Sequence, residues 1–401
     1  MTVPEAAPAA TRAAEVRTAS EADFEAVAGL LVDRGEPADA VDLRRMVDDP
    51  QVGWSHVGVV EVDGKVVATA SWIATTIEVG ATVLPAGQVE LVATHRGHEG
   101  KGYVRRLMAW CHQESMAAGH LVQFMVGIPH FYRKFGYEYS IPMHSYAKVT
   151  DTFAAPNAIT VRRATDLDLD AMLALQRRAQ ASFDVRIPHS RSQLGWLLDR
   201  DGSAQYIAVR AGRPVGTARW TDVEGDVAFC AEIVADDPEV TTSLLAAARR
   251  DDATLWAMAR PGVPGLLDCL GALEPPEWYY VRVSEPNRLL DALRPEFDAR
   301  LAVSEFAELD GSFLLSWWSG HVRSPIERGR IGPFERGGAL QAPVASGGSG
   351  VPFDALGRLL FSDGAIAVED RFPDCYLGDQ RALMSVMFPA CTTDALTWYL
   401  P

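Results

Sequence analysis

Apolar and polar positions form regular blocks along the chain, and the most regular block predicts a strand, a loop, a helix and a second strand. The strands are predicted at 89–93 and 121–126. The loop before the helix contains Gly100 and Gly102. Apolar residues then recur at the i, i+3, i+4 and i+7 spacing of one helix face, at Val104, Leu107, Met108 and Cys111. Such a unit points the bare amides of a helix N-terminus towards an anion, so it predicts a phosphate or pyrophosphate site.

The residues ahead of this block predict a helical region and an antiparallel hairpin. Ser20 is the expected N-cap of a helix whose apolar face holds Phe24, Val27, Leu30 and Leu31. Two strand patterns follow, at 56–62 and 66–79. They are separated by Asp63-Gly64, a dipeptide typical of a tight hairpin turn.

The same order of patterns begins again after residues 150–158, which are interpreted as a linker. The run ITVRRATDLDLDAMLALQRRAQ resembles EVRTASEADFEAVAGLL near the start of the chain, and a second pair of strands follows it. This weak internal repeat predicts a second copy of the same fold. In that copy Asp236, Asp237 and Glu239 occupy the place of the glycine loop, and their carboxylates would repel a pyrophosphate. The second copy is therefore expected to be a structural partner that binds no cofactor.

Length and composition limit the class of protein. A chain of 401 residues is too long for one ordinary core, so about two or three domains are expected. Residues 1–14 are rich in Ala and Pro and have no apolar stretch behind a basic start, so they predict a disordered tail rather than a signal peptide. No run approaches the ~18 apolar residues of a membrane helix. The 5 cysteines are scattered, which favours a reducing cytoplasm over a disulfide framework or a zinc site.

The charge and the remaining motifs narrow the choice of partners. A net charge of −16 argues against nucleic acid, which requires a basic face. It suits a cationic substrate, although an acidic surface can also serve solubility alone. No metal is expected, because the histidines near the central block have no metal-binding spacing: His95, His98, His112, His120, His130 and His144. The sequence has no G-x-S-x-G elbow and no Walker loop, which removes support for a serine hydrolase or an NTPase.

Two runs carry a family resemblance. VATHRGHEGKGYVRRLM resembles the acetyl-CoA pyrophosphate loop of GNAT-superfamily N-acetyltransferases, and GIPHFYRKFGYEY resembles the signature of the Eis-type (enhanced intracellular survival) members. The resemblance implies an α/β (α+β) protein with two tandem GNAT folds, of which the first is active, and a sterol-carrier-protein-like α+β C-terminal domain. The expected domains are a catalytic one at 15–150, a non-catalytic one at 158–283 and a C-terminal one at 284–401.

The resemblance also implies acetyl-CoA as co-substrate and assigns residues to it. The strand Leu91-Val92-Ala93 would hold the pantetheine arm. The amides and charges of the loop would hold the pyrophosphate, with Arg106 as a further cation: Gly100, Lys101, Gly102, Tyr103, Val104 and Arg105. One position departs from the family pattern, since Glu99 stands where an Arg is usual. A carboxylate there would weaken pyrophosphate binding unless it pointed away.

Acetyl transfer to an amine also requires a proton donor and a proton acceptor. Tyr132 matches the tyrosine that donates a proton to the CoA thiolate in the Eis-type motif, and a phenol of pKa ~10 is protonated at neutral pH. For the acceptor the resemblance implies the terminal carboxylate, here that of Pro401, and Glu90 is the alternative. Trp54 and Trp72 are expected to line the pocket of the amine substrate.

The sequence thus predicts an acetyl-CoA-dependent N-acetyltransferase acting on a small cationic amine, such as an aminoglycoside, a peptide antibiotic, a polyamine or a lysine-like group. The resemblance leaves a homo-oligomer open. One alternative is a degenerate GNAT scaffold that binds a ligand or lipid without turnover, and another is an enzyme that uses a longer acyl-CoA.

Overall fold

The computed structural model describes residues 15–35, 37–150, 158–198, 200, 202–223, 225–250 and 253–396. The predicted tail 1–14, most of the predicted linker and Pro401 lie outside the described residues. Two compact units can be distinguished. The first holds residues up to Ile73 together with Val89–Glu114, and the second holds Ala74–Gln88 and the residues from Ser115 onward.

The first unit contains the predicted helical region and hairpin. Strands β3 and β4 and helix α3 begin or end in it and continue in the second unit. Its elements are β1 (Val16–Thr18), α1 (Phe24–Arg34), α2 (Ala38–Asp48), β2 (Val57–Val62), β3 (Lys65–Val79), β4 (Thr82–Thr94) and α3 (Tyr103–Ala117). Strands β1, β2 and β3 pair antiparallel in that order.

Local sequence accounts for two turns of this unit, the one that leads into α1 and the one between β2 and β3. Ser20 caps a short 3-10 turn that leads directly into α1, and its amide donates a hydrogen bond to Asp23 Oδ2 at 2.8 Å. Arg17 holds the same carboxylate through two bonds of 2.9 and 2.7 Å. In the hairpin, Asp63 and Gly64 have φ of 49° and 76°, the left-handed pair that a two-residue turn requires. The predicted N-cap and the predicted turn are both present.

The second unit holds the remaining elements. The first group is β5 (Val122–Met125), β6 (Glu138–Pro142), β7 (Tyr146–Val149), β8 (Ile159–Arg163), α4 (Leu169–Gln180), β9 (Val185–Ile187), α5 (Arg191–Trp196), β10 (Ser203–Arg210), β11 (Arg213–Thr221), β12 (Val227–Ala235), α6 (Pro238–Ala248), β13 (Thr254–Met258), β14 (Leu270–Leu273) and β15 (Trp278–Val283). The second group is α7 (Pro286–Ala292), α8 (Arg294–Ala302), β16 (Gly311–Ser316), β17 (His321–Glu327), β18 (Arg330–Ile331), β19 (Glu335–Gly337), β20 (Ser349–Gly350), α9 (Leu356–Phe361), α10 (Gly364–Arg371), α11 (Arg381–Met387) and β21 (Thr393–Ala395).

One sheet of this unit repeats the element order of the first copy. Its strands lie in the order β14-β7-β13-β12-β11-β10-β8, with β12 and β13 parallel and helix α6 between them. The repeat extends to side chains, because Arg162 binds Asp168 through two bonds of 2.7 and 2.8 Å and the Thr165 amide donates to the same carboxylate. The fold is therefore built on two GNAT-like copies, as the internal repeat predicts.

Two strands lie across the predicted domain limits, which themselves stay a prediction. Strand β15, from the end of the second copy, inserts antiparallel between β5 and β6 of the first. Strand β7, from the end of the first copy, pairs with β13 of the second. Each sheet therefore requires a strand that the sequence pattern assigns to the other copy.

The C-terminal part forms a small sheet of its own, in the order β18-β17-β16-β20 with β19 beside β17. Helices α7 to α11 pack around it, and their apolar faces share one core with β5, β6 and β15. A sterol-carrier-like identity for this part stays a prediction. None of the helices in the described ranges combines the length and apolar character needed to cross a membrane.

Candidate active site

Strand β4 carries the residues predicted to hold the pantetheine arm. Its parallel pairing with β5 covers three residue pairs and ends at Gln88–Phe124. Three residues further on, Leu91 adopts φ 51°, an uncommon conformation for a bulky residue, so the strand loses its regular geometry here. Leu91 and Ala93 are buried, and Val92 is half-buried. The strand is therefore irregular at Leu91, beyond the end of its pairing with β5, and β4 continues as far as Thr94.

The glycine loop ends where α3 begins. Gly100 and Gly102 have φ of 74° and 80°, a region that residues with a Cβ rarely adopt, and a Cβ at either position would meet no atom within 4 Å. Glycine is therefore favoured at these two positions because of the backbone conformation, and not because a side chain would clash with neighbouring atoms. Tyr103 is the first residue of α3, so the amides of the first helical turn follow the loop directly. These amides and the helix dipole are what a pyrophosphate group needs.

The unusual Glu99 is paired within the first unit. Arg34, the last residue of α1, places Nη2 at 2.7 Å from Glu99 Oε1. The Glu99 side chain is 54% exposed, and the guanidinium balances its charge. Arg96 lies beside Asp33 at 3.7 Å, and Lys101 Nζ lies 3.4 Å from His98 Nδ1. From the sequence, the Glu99 carboxylate was expected to weaken pyrophosphate binding unless it pointed away. The ion pair with Arg34 balances the charge of this carboxylate. No sequence pattern identified Arg34 as its partner.

Tyr132 lies in the second unit, on a short 3-10 helix, Phe131–Phe135. It is 5% exposed and is surrounded by aromatic rings, with Phe131 at 5.0 Å and Tyr280 at 5.9 Å between centroids. Gly127 provides the space for its ring, since a Cβ there would lie 2.5 Å from Tyr132 Cε2. Close packing fixes the ring in one position.

Two further tyrosines hold the loop that leads to Tyr132. The Tyr280 hydroxyl lies 2.7 Å from the Tyr139 hydroxyl and 3.3 Å from the Ile128 carbonyl oxygen, and its proton serves one of them at a time. The Tyr139 hydroxyl accepts a hydrogen bond from the His130 amide at 3.3 Å. Burial, together with the hydrogen bond to Tyr139, raises the pKa of Tyr280, so it remains a donor at neutral pH. The sequence patterns gave no role to Tyr280.

The other predicted site residues lie at different depths. Glu90 is 6% exposed, and its carbonyl oxygen accepts a hydrogen bond from Ser71 Oγ at 2.8 Å. Trp72 is 6% exposed and stacks on His56, with 3.7 Å between ring centroids. Trp54 is half-buried, and its Nε1 donates to Glu21 at 3.1 Å. Their substrate and proton-transfer roles stay predictions, and Pro401 lies outside the described residues.

The second copy differs at the start of its helix. Asp237 is the N-cap of α6 and accepts a hydrogen bond from the Val240 amide at 3.1 Å. Arg210 binds both oxygens of this carboxylate at 2.6 and 3.0 Å, and it also contacts Glu239. Asp236 pairs with Arg178. A side-chain carboxylate therefore accepts from one of the amides that a phosphate would use. That this copy binds no cofactor stays a prediction.

Comparison with known proteins assigns the class. Residues 15–140 match the family model described as an acetyltransferase (GNAT) domain. This stretch of the chain is therefore similar to a GNAT acetyltransferase domain, a class that uses acetyl-CoA and an acceptor substrate. In the described part of the chain, no group of three or more His, Cys, Asp and Glu residues is placed to hold a metal ion.

Solved structures extend the likeness over nearly the whole chain. A GCN5-related N-acetyltransferase from Anabaena variabilis shares 13% identity at a TM-score of 0.72, covering 95% of this chain and 98% of its own. One from Kribbella flavida shares 16% identity at 0.70, covering 98% and 100%. Eis1 from Mycobacterium abscessus shares 14% identity at 0.62, covering 96% and 99%. The chain thus has the fold of an Eis protein. A comparison with curated proteins by sequence gave no match.

Proposed function

We propose that this protein transfers an acetyl group from acetyl-CoA to a primary amine of a small cationic acceptor. The observation that carries the proposal is the glycine loop, whose two left-handed glycines lead straight into the N-terminus of α3. The second copy has the same fold but closes the corresponding helix with Asp237. This difference between the two copies supports the proposal that the first loop binds an anion, because the same fold forms in the second copy with Asp237 at this place.

In this proposal the first unit holds the co-substrate. The amides of Leu91, Val92 and Ala93 bind the pantetheine arm, and the amides from Gly100 to Val104 bind the pyrophosphate. Lys101 and Arg105 add positive charge. Acetyl-CoA supplies a thioester, whose acyl carbon an amine attacks. Glu99 does not disturb the loop while Arg34 balances its charge.

Tyr132 is the proposed general acid. The amine nitrogen forms a bond to the acyl carbon, the carbon–sulfur bond breaks, and the departing thiolate takes the phenolic proton of Tyr132. The ammonium group gives its surplus proton to a carboxylate, for which Glu90 and the terminal carboxylate of Pro401 are the two candidates. The packed ring and the Gly127 seat support this role, because a general acid must be held in one place.

The acceptor class rests on charge. A net charge of −16 attracts a polyamine, an aminoglycoside, a basic peptide or a lysine-like group, and Trp54 and Trp72 are the proposed aromatic wall. The 5 cysteines are all free thiols, which supports a cytoplasmic location. The proposal also includes a homo-oligomer.

The test is a steady-state assay of CoA release with acetyl-CoA and a panel of amines, run on the wild type, Tyr132→Phe and Tyr137→Phe. Tyr132→Phe should lower kcat by about 10²- to 10⁴-fold and leave the KM for acetyl-CoA unchanged. Tyr137, which is 2% exposed, belongs to the same motif, so Tyr137→Phe is the matched control and should stay within about 3-fold of wild type.

Equal kcat values for the two variants would contradict the role of Tyr132. Tight binding of acetyl-CoA without turnover on any amine would instead favour the degenerate scaffold. Competition between acetyl-, propionyl- and longer acyl-CoA would show whether the enzyme prefers a longer chain.

A further inference from the structure

The second copy retains the strand arrangement of a cofactor cleft. Strands β12 and β13 pair in parallel from Val227–Thr254 to Cys230–Ala257, and the pairing then ends. Beyond it Glu232 has φ 54°. Leu91 and Glu232 both lie five residues after the first residue of their parallel pairing, at Ala86 and Val227. The second copy thus has the same break in its strand, at the same register.

One side chain of the second copy bridges its separated strands. Arg260 follows the end of β13, is fully buried, and donates through Nη1 to the Ile233 carbonyl oxygen of β12 at 3.3 Å. The same Nη1 donates to Gln176 Oε1 on α4 at 2.7 Å. A guanidinium removed from water in this way requires an anion, because an unpaired buried charge is strongly destabilising.

The anion comes from the far end of the sequence. Asp394 accepts from Arg260 Nε at 2.9 Å through Oδ1 and from Arg260 Nη2 at 2.7 Å through Oδ2. His144 Nε2 lies 2.6 Å from Oδ1, and Gln180 Nε2 donates to the Asp394 carbonyl oxygen at 3.2 Å. Burial opposes the charge, but Arg260 and His144 outweigh it and hold the pKa of Asp394 well below its usual range. The carboxylate is therefore ionised at neutral pH.

Asp394 belongs to β21, and the residue just before this strand, Thr392, is held by Asp184 Oδ2 at 2.8 and 2.7 Å. The strand has three residues and pairs in parallel with β9, another three-residue strand. Thr393 Oγ1 donates to the Pro142 carbonyl oxygen at 2.9 Å, and the Leu396 amide donates to the Ile187 carbonyl oxygen at 2.9 Å. So short a pairing is marginal alone, and the two bonds from Arg260 to Asp394 add a charge-assisted anchor to it.

We infer that the cleft of the second copy has become a docking site for the chain's own C-terminal strand, and that Asp394 is a positioning residue there. The Asp394 carboxylate binds in the cleft of the second copy. In the first copy, the proposed ligand of the corresponding cleft is acetyl-CoA. Through Asp394 the cleft holds the last strand that the structure describes before Pro401. The consequence for catalysis rests on the proposed function, in which the Pro401 carboxylate is a candidate proton acceptor.

The experiment compares the full-length wild type with Asp394→Asn and with Asp363→Asn as a matched control. Asp363 is also an acid paired with arginine, at 3.0 Å from Arg358 Nη1, and it lies at the start of α10. The first readout is hydrogen exchange of a peptide covering residues 392–396, which excludes Cys391, the residue whose amide donates to the Ser362 carbonyl oxygen beside Asp363. The second is kcat and the KM for acetyl-CoA under the assay described above.

Asp394→Asn should speed exchange in this peptide by about 10-fold or more, because the strand opens without global unfolding. It should lower kcat by about 10-fold or more and leave the KM for acetyl-CoA unchanged, since the co-substrate site is untouched. Asp363→Asn should leave both the exchange of this peptide and kcat as in the wild type. If Asp394→Asn does not fold, the pair Arg260→Met with Asp394→Leu removes both charges together and tests the same release.

Unchanged exchange would overturn the docking role, since the strand would then be held by other contacts. Faster exchange with an unchanged kcat would overturn the positioning role. A wild type that acetylates no amine would contradict the proposed function alone, because the exchange measurement decides the docking role without any turnover.

Discussion

The two GNAT copies of this chain share a frame and differ at the places where a ligand would bind. Each begins with a strand arginine that grips a capping aspartate, Asp23 or Asp168, through two bonds. Each has a two-residue hairpin turn with φ near 49° and 76° or 77°, at Asp63-Gly64 and at Ala211-Gly212. These features build strands and helices, and both copies need them equally.

The differences involve few residues. The first copy leads into its helix through glycines, whereas the second caps its helix with Asp237. Six residues after the first paired residue of β5, Ile128 is 62% exposed, whereas six residues after that of β13, Arg260 is fully buried. In the second copy, carboxylates of the chain itself occupy the helix amides and the strand cleft. We therefore propose that the second copy has no cofactor site although it keeps the fold, because carboxylates of the chain take the place of the ligand's charges.

The largest effect is expected from making the first loop resemble the second. Gly102→Asp places a carboxylate beside the amides of α3 at φ 80°. Repulsion of the pyrophosphate and backbone strain should weaken acetyl-CoA binding by on the order of 100-fold, measured by titration calorimetry. Gly212→Asp is the control, because that glycine has φ 77° and equally open surroundings in the second copy.

Gly212→Asp should bind acetyl-CoA as the wild type does and lose only a similar amount of stability. Comparable affinities for the two variants would contradict the assignment of the loop. The calorimetry requires no knowledge of the acceptor, so it tests the loop separately from the chemistry.

A smaller effect is expected from the seat of Tyr132. Gly127→Ala places a Cβ 2.5 Å from Tyr132 Cε2, and the packed ring can move only by disturbing its neighbours. We expect kcat to fall by about 10- to 100-fold with the KM for acetyl-CoA within about 2-fold. By register, Ala259 is the equivalent residue of the second copy, and Ala259→Gly should leave kcat unchanged. A wild-type kcat for Gly127→Ala would show that this glycine does not set the position of the hydroxyl.

Local sequence signals predicted the frame and the loop, whereas long-range pairings could not be predicted. The Ser20 cap, the Asp63-Gly64 turn and the α3 face depend on residues close in sequence, so one chain suffices to find them. The insertion of β15 beside β5 and the Arg260–Asp394 pair join residues more than a hundred positions apart. No periodicity records such contacts. Gly127 was also missed, because its role comes from one ring that happens to lie against it.

The smallest effect tests the shared frame. Arg17 and Arg162 lower the pKa of Asp23 and of Asp168 to about 2, chiefly by hydrogen bonding, against ~3.9 in an unfolded chain. Each carboxylate therefore stabilises the native state above about pH 4, and this contribution is lost as the pH falls through about 2. At pH 7, Asp23→Asn and Asp168→Asn should each cost about 1 kcal/mol, because the arginine partners are nearly half exposed.

Hydrogen exchange in the first turns of α1 and α4 at pH 7 and pH 4 would measure the two contributions side by side. Both variants should lose protection from exchange relative to the wild type at pH 7, by similar factors. At pH 4 the difference from the wild type should be smaller, because protonation begins to remove the stability that the wild-type carboxylates contribute. Unequal losses of protection in the two variants would mean that Asp23 and Asp168 do not stabilise their helices equally. The two copies would then differ in this structural feature as well. A loss of acetyl-CoA affinity in Asp168→Asn would contradict the separation of frame from site, since that residue belongs to the copy that caps its own helix.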